Sequence, residues 1–202
     1  MLVAFLLPAT IGAVAIAEPL YTVFYGKPDS LALGLFILAM LQTVILGLYT
    51  VLSPMIQALF QNRKAILYFG YGVLVKLILQ VPFIYVFKAY GPLLSTTIGL
   101  MIPIVLMYKE IHQVTQFNRK NVFKRSLLTA ILTLIMLLVV LVAGFILGLV
   151  IKPNGRVTSM IYVALIGGVG IVVYGGLGLR LRFLDRFIGS KAASLRNKFH
   201  IS

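Results

Sequence analysis

What most constrains this chain is a succession of apolar runs, each about long enough to cross a lipid bilayer. Six are present, at 1–25, 31–60, 65–87, 91–108, 127–151 and 157–179. A hydrocarbon core of about 30 Å takes roughly 20 helical residues. Lipid offers no water to satisfy backbone N–H and C=O groups, so a spanning segment must bond within itself as a helix or close into a barrel. Barrel strands alternate apolar and polar residues. The stretch Leu132–Val140 and others like it do not alternate. Apolar residues make up 61% of the chain and charged residues 11%, with a mean hydropathy of +1.07. Such a chain cannot cover a soluble core with polar groups. The expected fold class is all-α: a polytopic membrane helical bundle of six transmembrane helices.

The charges then orient it. Lysine and arginine total 18 against 4 acids, a net charge of +14. With six spans, thirteen bases fall on the side shared by the two ends and four on the other, while Lys76 lies within the third run. By the positive-inside rule both ends face the cytoplasm of a cell-membrane protein. The excess charge therefore reads as topology control and affinity for anionic membrane lipids, with no nucleic acid as partner. Two basic segments, 109–126 and 180–202, carry apolar residues at roughly helical spacing. They are expected to lie on the leaflet surface, with Arg119, Lys120, Lys124, Arg125, Arg180, Arg182 and Arg186 against anionic headgroups. Equally, they read as plain solvated positive-inside loops. Ala15-Ile16-Ala17 before Glu18 resembles a signal cleavage site, but no base precedes the apolar run and Pro8 interrupts it. The apolar run begins at Met1 itself, which suggests a chain that starts partway through something longer.

Catalytic chemistry finds little footing. The chain has no Cys, its two histidines are His112 and His200, and no metalloprotease, nucleophile-elbow or phosphate-loop motif occurs. No enzyme activity, cofactor or metal is expected. The polar residues inside the runs say more. Lys76 stands at the centre of the third run, on one helix face with Tyr68, Gly72 and Gln80. A mid-bilayer ammonium must face water or a partner. In the second run Thr43, Thr50 and Gln57 recur every seven residues, with Ser53 beside them. Glu18 adjoins Pro19 in the first run. The substrate-cavity candidates are thus Lys76, Gln80, Tyr68, Gln57, Thr50, Ser53 and Glu18. The first four runs hold six prolines and the last two none. Interrupted helices around a midplane cavity are a transporter signature.

The last two runs are nearly featureless apart from glycine. Gly144 and Gly148 form one small-xxx-small pair, Ala164 and Gly168 another. Such pairs allow close helix approach, so 127–179 is expected as a peripheral, lipid-facing pair, apart from a four-helix transporter portion over 1–108.

Three stretches carry a family resemblance. Ser53–Lys64 resembles a helix end and cytoplasmic turn of polysaccharide flippases. Gly72–Pro82, GVLVKLILQVP, resembles that family's Lys-bearing helix. Tyr90–Gly99, YGPLLSTTIG, resembles the entry to its next helix, departing at Pro92 and Leu93. The chain is therefore identified as similar to the MurJ/SpoVB/YtgP-like branch of the multidrug/oligosaccharidyl-lipid/polysaccharide exporter superfamily. The resemblance implies two six-helix lobes plus two added helices, of which these six would be the last. It implies transport of a lipid-linked sugar, notably a peptidoglycan precursor or a polysaccharide repeat unit, by alternating access. The partners implied are that lipid and the N-terminal helices of the same transporter. Two alternatives stand beside it. A cation-coupled multidrug antiporter would want more intramembrane acid than Glu18, and a non-transporting structural subunit would need no cavity at all.

Overall fold

The structure, a computed structural model, describes residues 2–27, 29–116, 119–150 and 155–180. These form α1 (Leu2–Ala15), α2 (Ala17–Tyr25), α3 (Ser30–Ala58), α4 (Asn62–Phe87), α5 (Gly91–Thr115), α6 (Arg119–Val150) and α7 (Arg156–Arg180), with one 3-10 turn at Lys88–Tyr90 and no strand among the described residues. The all-helical expectation holds. Four continuous stretches, 30–58, 62–115, 126–149 and 156–176, are long and apolar enough to span, and the bent α1–α2 pair makes a fifth. The stretch 62–115 is two crossings rather than one. Its arms α4 and α5 pack side by side and antiparallel, with Gly72 against Gly99 and Lys64 against Glu110. A single straight helix of that length would measure about 80 Å, against a core of about 30 Å. Counted this way, the described segments answer the six apolar runs.

The helices gather into two compact units, residues 3–29 with 124–180, and residues 30–123. The first run packs with the last two because Ile16 shares a buried apolar cluster with Met136, Val140 and Ile166.

In the first unit the leading run is not one straight helix. It bends by 79° between α1 and α2, at Ile16. Pro19 supplies the cause. It has no N–H for the Ala15 carbonyl, and its ring clashes with that carbonyl, so α1 stops at Ala15. Pro8 leaves α1 unbroken, although it deprives the Ala4 carbonyl of its helical donor; the Tyr174 hydroxyl donates to that carbonyl instead, at 2.6 Å. The small-residue pairs do not meet as expected. Tyr162 stands between α6 and α7 and donates to the Gly144 carbonyl at 2.9 Å, while Gly148 and Gly168 face open space.

In the second unit α4 and α5 form a tight hairpin. Lys88 ends α4 in the left-handed region (φ 50°), and the 3-10 turn leads into Gly91. A Cβ on Gly91 would lie 2.5 Å from the Phe83 carbonyl oxygen, so only glycine fits the tip. The helix α3 joins through Ile56, buried with Ala65, Met107 and Ile111, and through Tyr49, whose ring sits 5.7 Å from that of Phe69.

The basic segment 109–126, expected as a separate surface helix, is divided between two long ones. The helix α5 runs on to Thr115 and stops at Gln116 in the left-handed conformation, and α6 begins at Arg119. Ile111, expected against the leaflet, is buried in the hairpin core. The tail from 181 onward, with Arg182 and Arg186, lies outside the described residues.

Candidate functional site

The site begins with a backbone contact. Pro103 has no N–H to offer the Gly99 carbonyl one turn earlier, and that carbonyl turns toward α4. A Cβ added at Gly72 would lie 2.5 Å from the Gly99 oxygen, and one added at Gly99 would lie 2.8 Å from the Gly72 oxygen. Only two glycines allow helices to come this close, near enough for a Cα–H group to satisfy a released carbonyl.

Lys76 follows Gly72 by one turn, and its Cβ lies against Gly99. It borders a small cleft of 110 Å³ between α4 and α5, lined also by Phe69, Val73, Thr96 and Pro103. The side chain is half-buried and, among the described residues, makes no hydrogen bond or ion pair. The Thr96 hydroxyl is turned to its own helix, donating to the Pro92 carbonyl at 2.7 Å. The only formal charge in the apolar part of this hairpin is therefore an ammonium free to take an anionic or acceptor partner. Gln80 lies one further turn along, half-buried.

Tyr68 belongs to the same face of α4 but to another group of residues. Its hydroxyl donates to Glu110 Oε2 at 3.0 Å, while the Lys64 ammonium pairs with Oε1. Both charges lie beyond the apolar runs 65–87 and 91–108. The hydrogen bond from Lys64 holds the Glu110 carboxyl below the usual carboxylate range, and the same bond raises the Lys64 ammonium. This three-residue latch closes the hairpin at the end opposite Gly91. Sequence reasoning missed it because its members are 42 and 46 residues apart and α5 was expected to end before Glu110.

The polar stripe of α3 stands on a different face from the one packed on the hairpin. Thr43, Thr50 and Gln57 are exposed. Thr43 donates to the Ala39 carbonyl at 3.2 Å, Thr50 to the Gly47 carbonyl at 2.8 Å, and Gln57 Nε2 to Ser53 Oγ at 3.3 Å. Glu18 is in the other unit, exposed in the first turn of α2. Of the candidates, Gln57 and Ser53 share a hydrogen bond, Lys76 and Gln80 stand one turn apart on α4, and Thr50 bonds only to its own helix at Gly47. Tyr68 is tied to Glu110, and Glu18 belongs to the other unit. Among the surface candidates Lys124 is exposed; the side chains of Arg119, Lys120, Arg125 and Arg180 are outside the described residues.

The first unit carries its own concavity, a groove of 540 Å³ bounded by α1, α2, α6 and α7. Its walls are almost wholly apolar, with Gly12, Ile16, Met136, Val140 and Gly170 among the lining residues and the Tyr174 side chain at one edge. Sequence reasoning placed an apolar groove on α6 and α7 but not the share of α1 and α2 in it, because α1 reaches it through a contact 120 or more residues distant.

No family model and no solved structure matches the chain. Among curated proteins it is similar to the lipid II flippase MurJ of Bacillus subtilis (strain 168), at 30% identity over 191 residues. The match takes in 92% of this chain and 35% of that protein, so the chain spans about a third of the length of the curated relative it matches. Along that span the similarity agrees with the resemblance that the three motifs carry.

Proposed function

We propose that this chain is the part of a lipid-linked oligosaccharide flippase that forms one wall of its translocation path. The substrate class comes from the relative, whose name specifies lipid II, the peptidoglycan precursor. The observation that carries the reading is Lys76, an unpartnered ammonium in the middle of an apolar helix hairpin. Low dielectric weakens screening there, so a diphosphate group entering from a cavity is drawn to it. The apolar groove between α1, α2, α6 and α7 suits the polyprenyl tail, which is too greasy for a water-filled path. The remaining helices of the same transporter supply the opposite wall. Both ends of this chain face the cytoplasm, so a single Cys placed at Asn154 is labelled from outside and one at Asn118 from inside. The cation-coupled antiporter has less support, since Glu110 is engaged by Lys64 and Tyr68 and only Glu18 is left within the runs.

The test is complementation of a flippase-depleted strain by the natural full-length protein. Lys76→Met is expected to reach the membrane at normal abundance and fail to complement. Lys76→Arg should retain part of the activity, because a charge at this position matters more than its shape. Full complementation by Lys76→Met would make Lys76 a structural residue and remove the main support for the reading.

A further inference from the structure

Four prolines lie inside helices of the described chain: Pro8, Pro54, Pro82 and Pro103. Each lacks the N–H that the carbonyl four residues earlier would accept, so the carbonyls of Ala4, Thr50, Ile78 and Gly99 lose their helical donors. Two are covered from inside their own unit. Tyr174 donates to Ala4, and the Gly72 backbone closes over Gly99. The other two are on exposed stretches of helix. Around Ile78 the neighbours Leu74, Leu77 and Val81 are exposed and apolar, and nothing polar accompanies the carbonyl.

The released carbonyl of Thr50 has different company. Ser53 and Gln57 share its side of α3, and Pro54, Thr50 and Gln57 are all exposed. The side chains hold one another in place, Gln57 on Ser53 and the Thr50 hydroxyl on Gly47. Pro54 offers the Thr50 carbonyl no N–H, and the Gln57 Oε1 and one Gln57 N–H make no hydrogen bond among the described residues. An acceptor, a second acceptor and a donor thus line one strip of a mostly apolar helix. Bare lipid cannot satisfy them, so this strip meets water or a polar ligand. No acid, base or histidine occurs anywhere from Ser30 to Ala58, so the strip has nothing with which to select a charged group.

We infer that the Thr50 carbonyl, opened by Pro54, and the Gln57 amide form a subsite for the uncharged part of the transported headgroup, its sugar hydroxyls and N-acyl amides. Sugar hydroxyls donate to Thr50 and to Gln57 Oε1, and an acyl carbonyl accepts from the Gln57 amide. The inference rests on the flippase reading and divides its substrate in two, with the diphosphate recognised at Lys76 and the glycan recognised on α3. A site built from hydrogen-bonding groups discriminates strongly against a ligand that lacks their partners, because those groups are then left unpaired.

The natural full-length protein in nanodiscs tests this with two probes, a polyprenyl diphosphate bearing an N-acetylated disaccharide and the same polyprenyl diphosphate without sugar. Gln57→Leu removes the amide at similar volume. Pro54→Ala returns an N–H to the Thr50 carbonyl and touches no polar side chain. Each is expected to weaken binding of the sugar-bearing probe about tenfold, the scale of one lost hydrogen bond, and to leave the sugarless probe unchanged. Equal weakening of both probes, or no weakening of either, overturns the subsite and leaves the flippase reading standing. Wild-type protein that binds neither probe overturns both.

Discussion

In residues 30–123, α4 and α5 approach until their backbones meet at Gly72 and Gly99, whereas in residues 3–29 and 124–180 a tyrosine stands between α6 and α7 and bonds to a backbone carbonyl. The difference matters because lipid tails are as apolar as leucine. Helices in a membrane therefore gain little from burying leucine against leucine, and they associate through close packing and hydrogen bonds. The second unit uses close packing at its centre and a charged latch at one end. The first unit uses an apolar cluster at Ile16 pinned by two tyrosine hydroxyls. The glycines that look most like a packing motif, Gly144-x-x-x-Gly148, are not where the closest approach occurs.

Substituting glycines tests that comparison most severely. Gly72→Leu should prevent the α4–α5 hairpin from closing, because the side chain would meet backbone, which cannot move aside. The expected cost exceeds the usual overpacking range of about 1–3 kcal/mol and should appear as loss of folded protein from the membrane. Gly148→Ala and Gly168→Ala, which meet open space, should leave abundance and melting temperature unchanged. Equal damage at Gly148 and Gly72 would erase the distinction between the units.

A double-mutant cycle sharpens the other half. Tyr174→Phe should destabilise the first unit by about 0.6 kcal/mol, the average for interhelical hydrogen bonds in membranes, and by no more than about 1.7 kcal/mol. Pro8→Ala gives the Ala4 carbonyl a helical donor again, so Tyr174→Phe should cost less in that background. Thermal unfolding in detergent of the four proteins measures the coupling. Additive effects would mean that the tyrosine acts through packing alone.

The smallest effect belongs to the latch, whose lysine is half exposed at the polar end of the hairpin. Glu110→Gln should lower the melting temperature slightly at neutral pH. The Glu110 carboxyl titrates below its ordinary value when folded, so its contribution is complete above the unfolded value of about 4.3 and disappears as pH falls through the folded one. The gap between wild type and Glu110→Gln should therefore close below about pH 4 and remain open from there to neutrality. A gap that widened in acid would exclude the latch.

The sequence by itself determined the helices. Non-alternating apolar runs of 18 to 30 residues are helical in lipid, and each of the six has its helical counterpart, though the first is broken at Ile16 and α5 runs past the fourth to Thr115. It also singled out Lys76, since a charge amid such a run is conspicuous on hydropathy alone. The tertiary structure decided which residues face each other. Glu110 found Lys64 and Tyr68, Tyr174 found Ala4 across 170 positions, and the first run packed with the last two. No local pattern encodes these pairings. They follow from where prolines release carbonyls and which distant hydroxyl, ammonium or glycine can reach them, and in a membrane every helix looks alike until those few polar groups find partners.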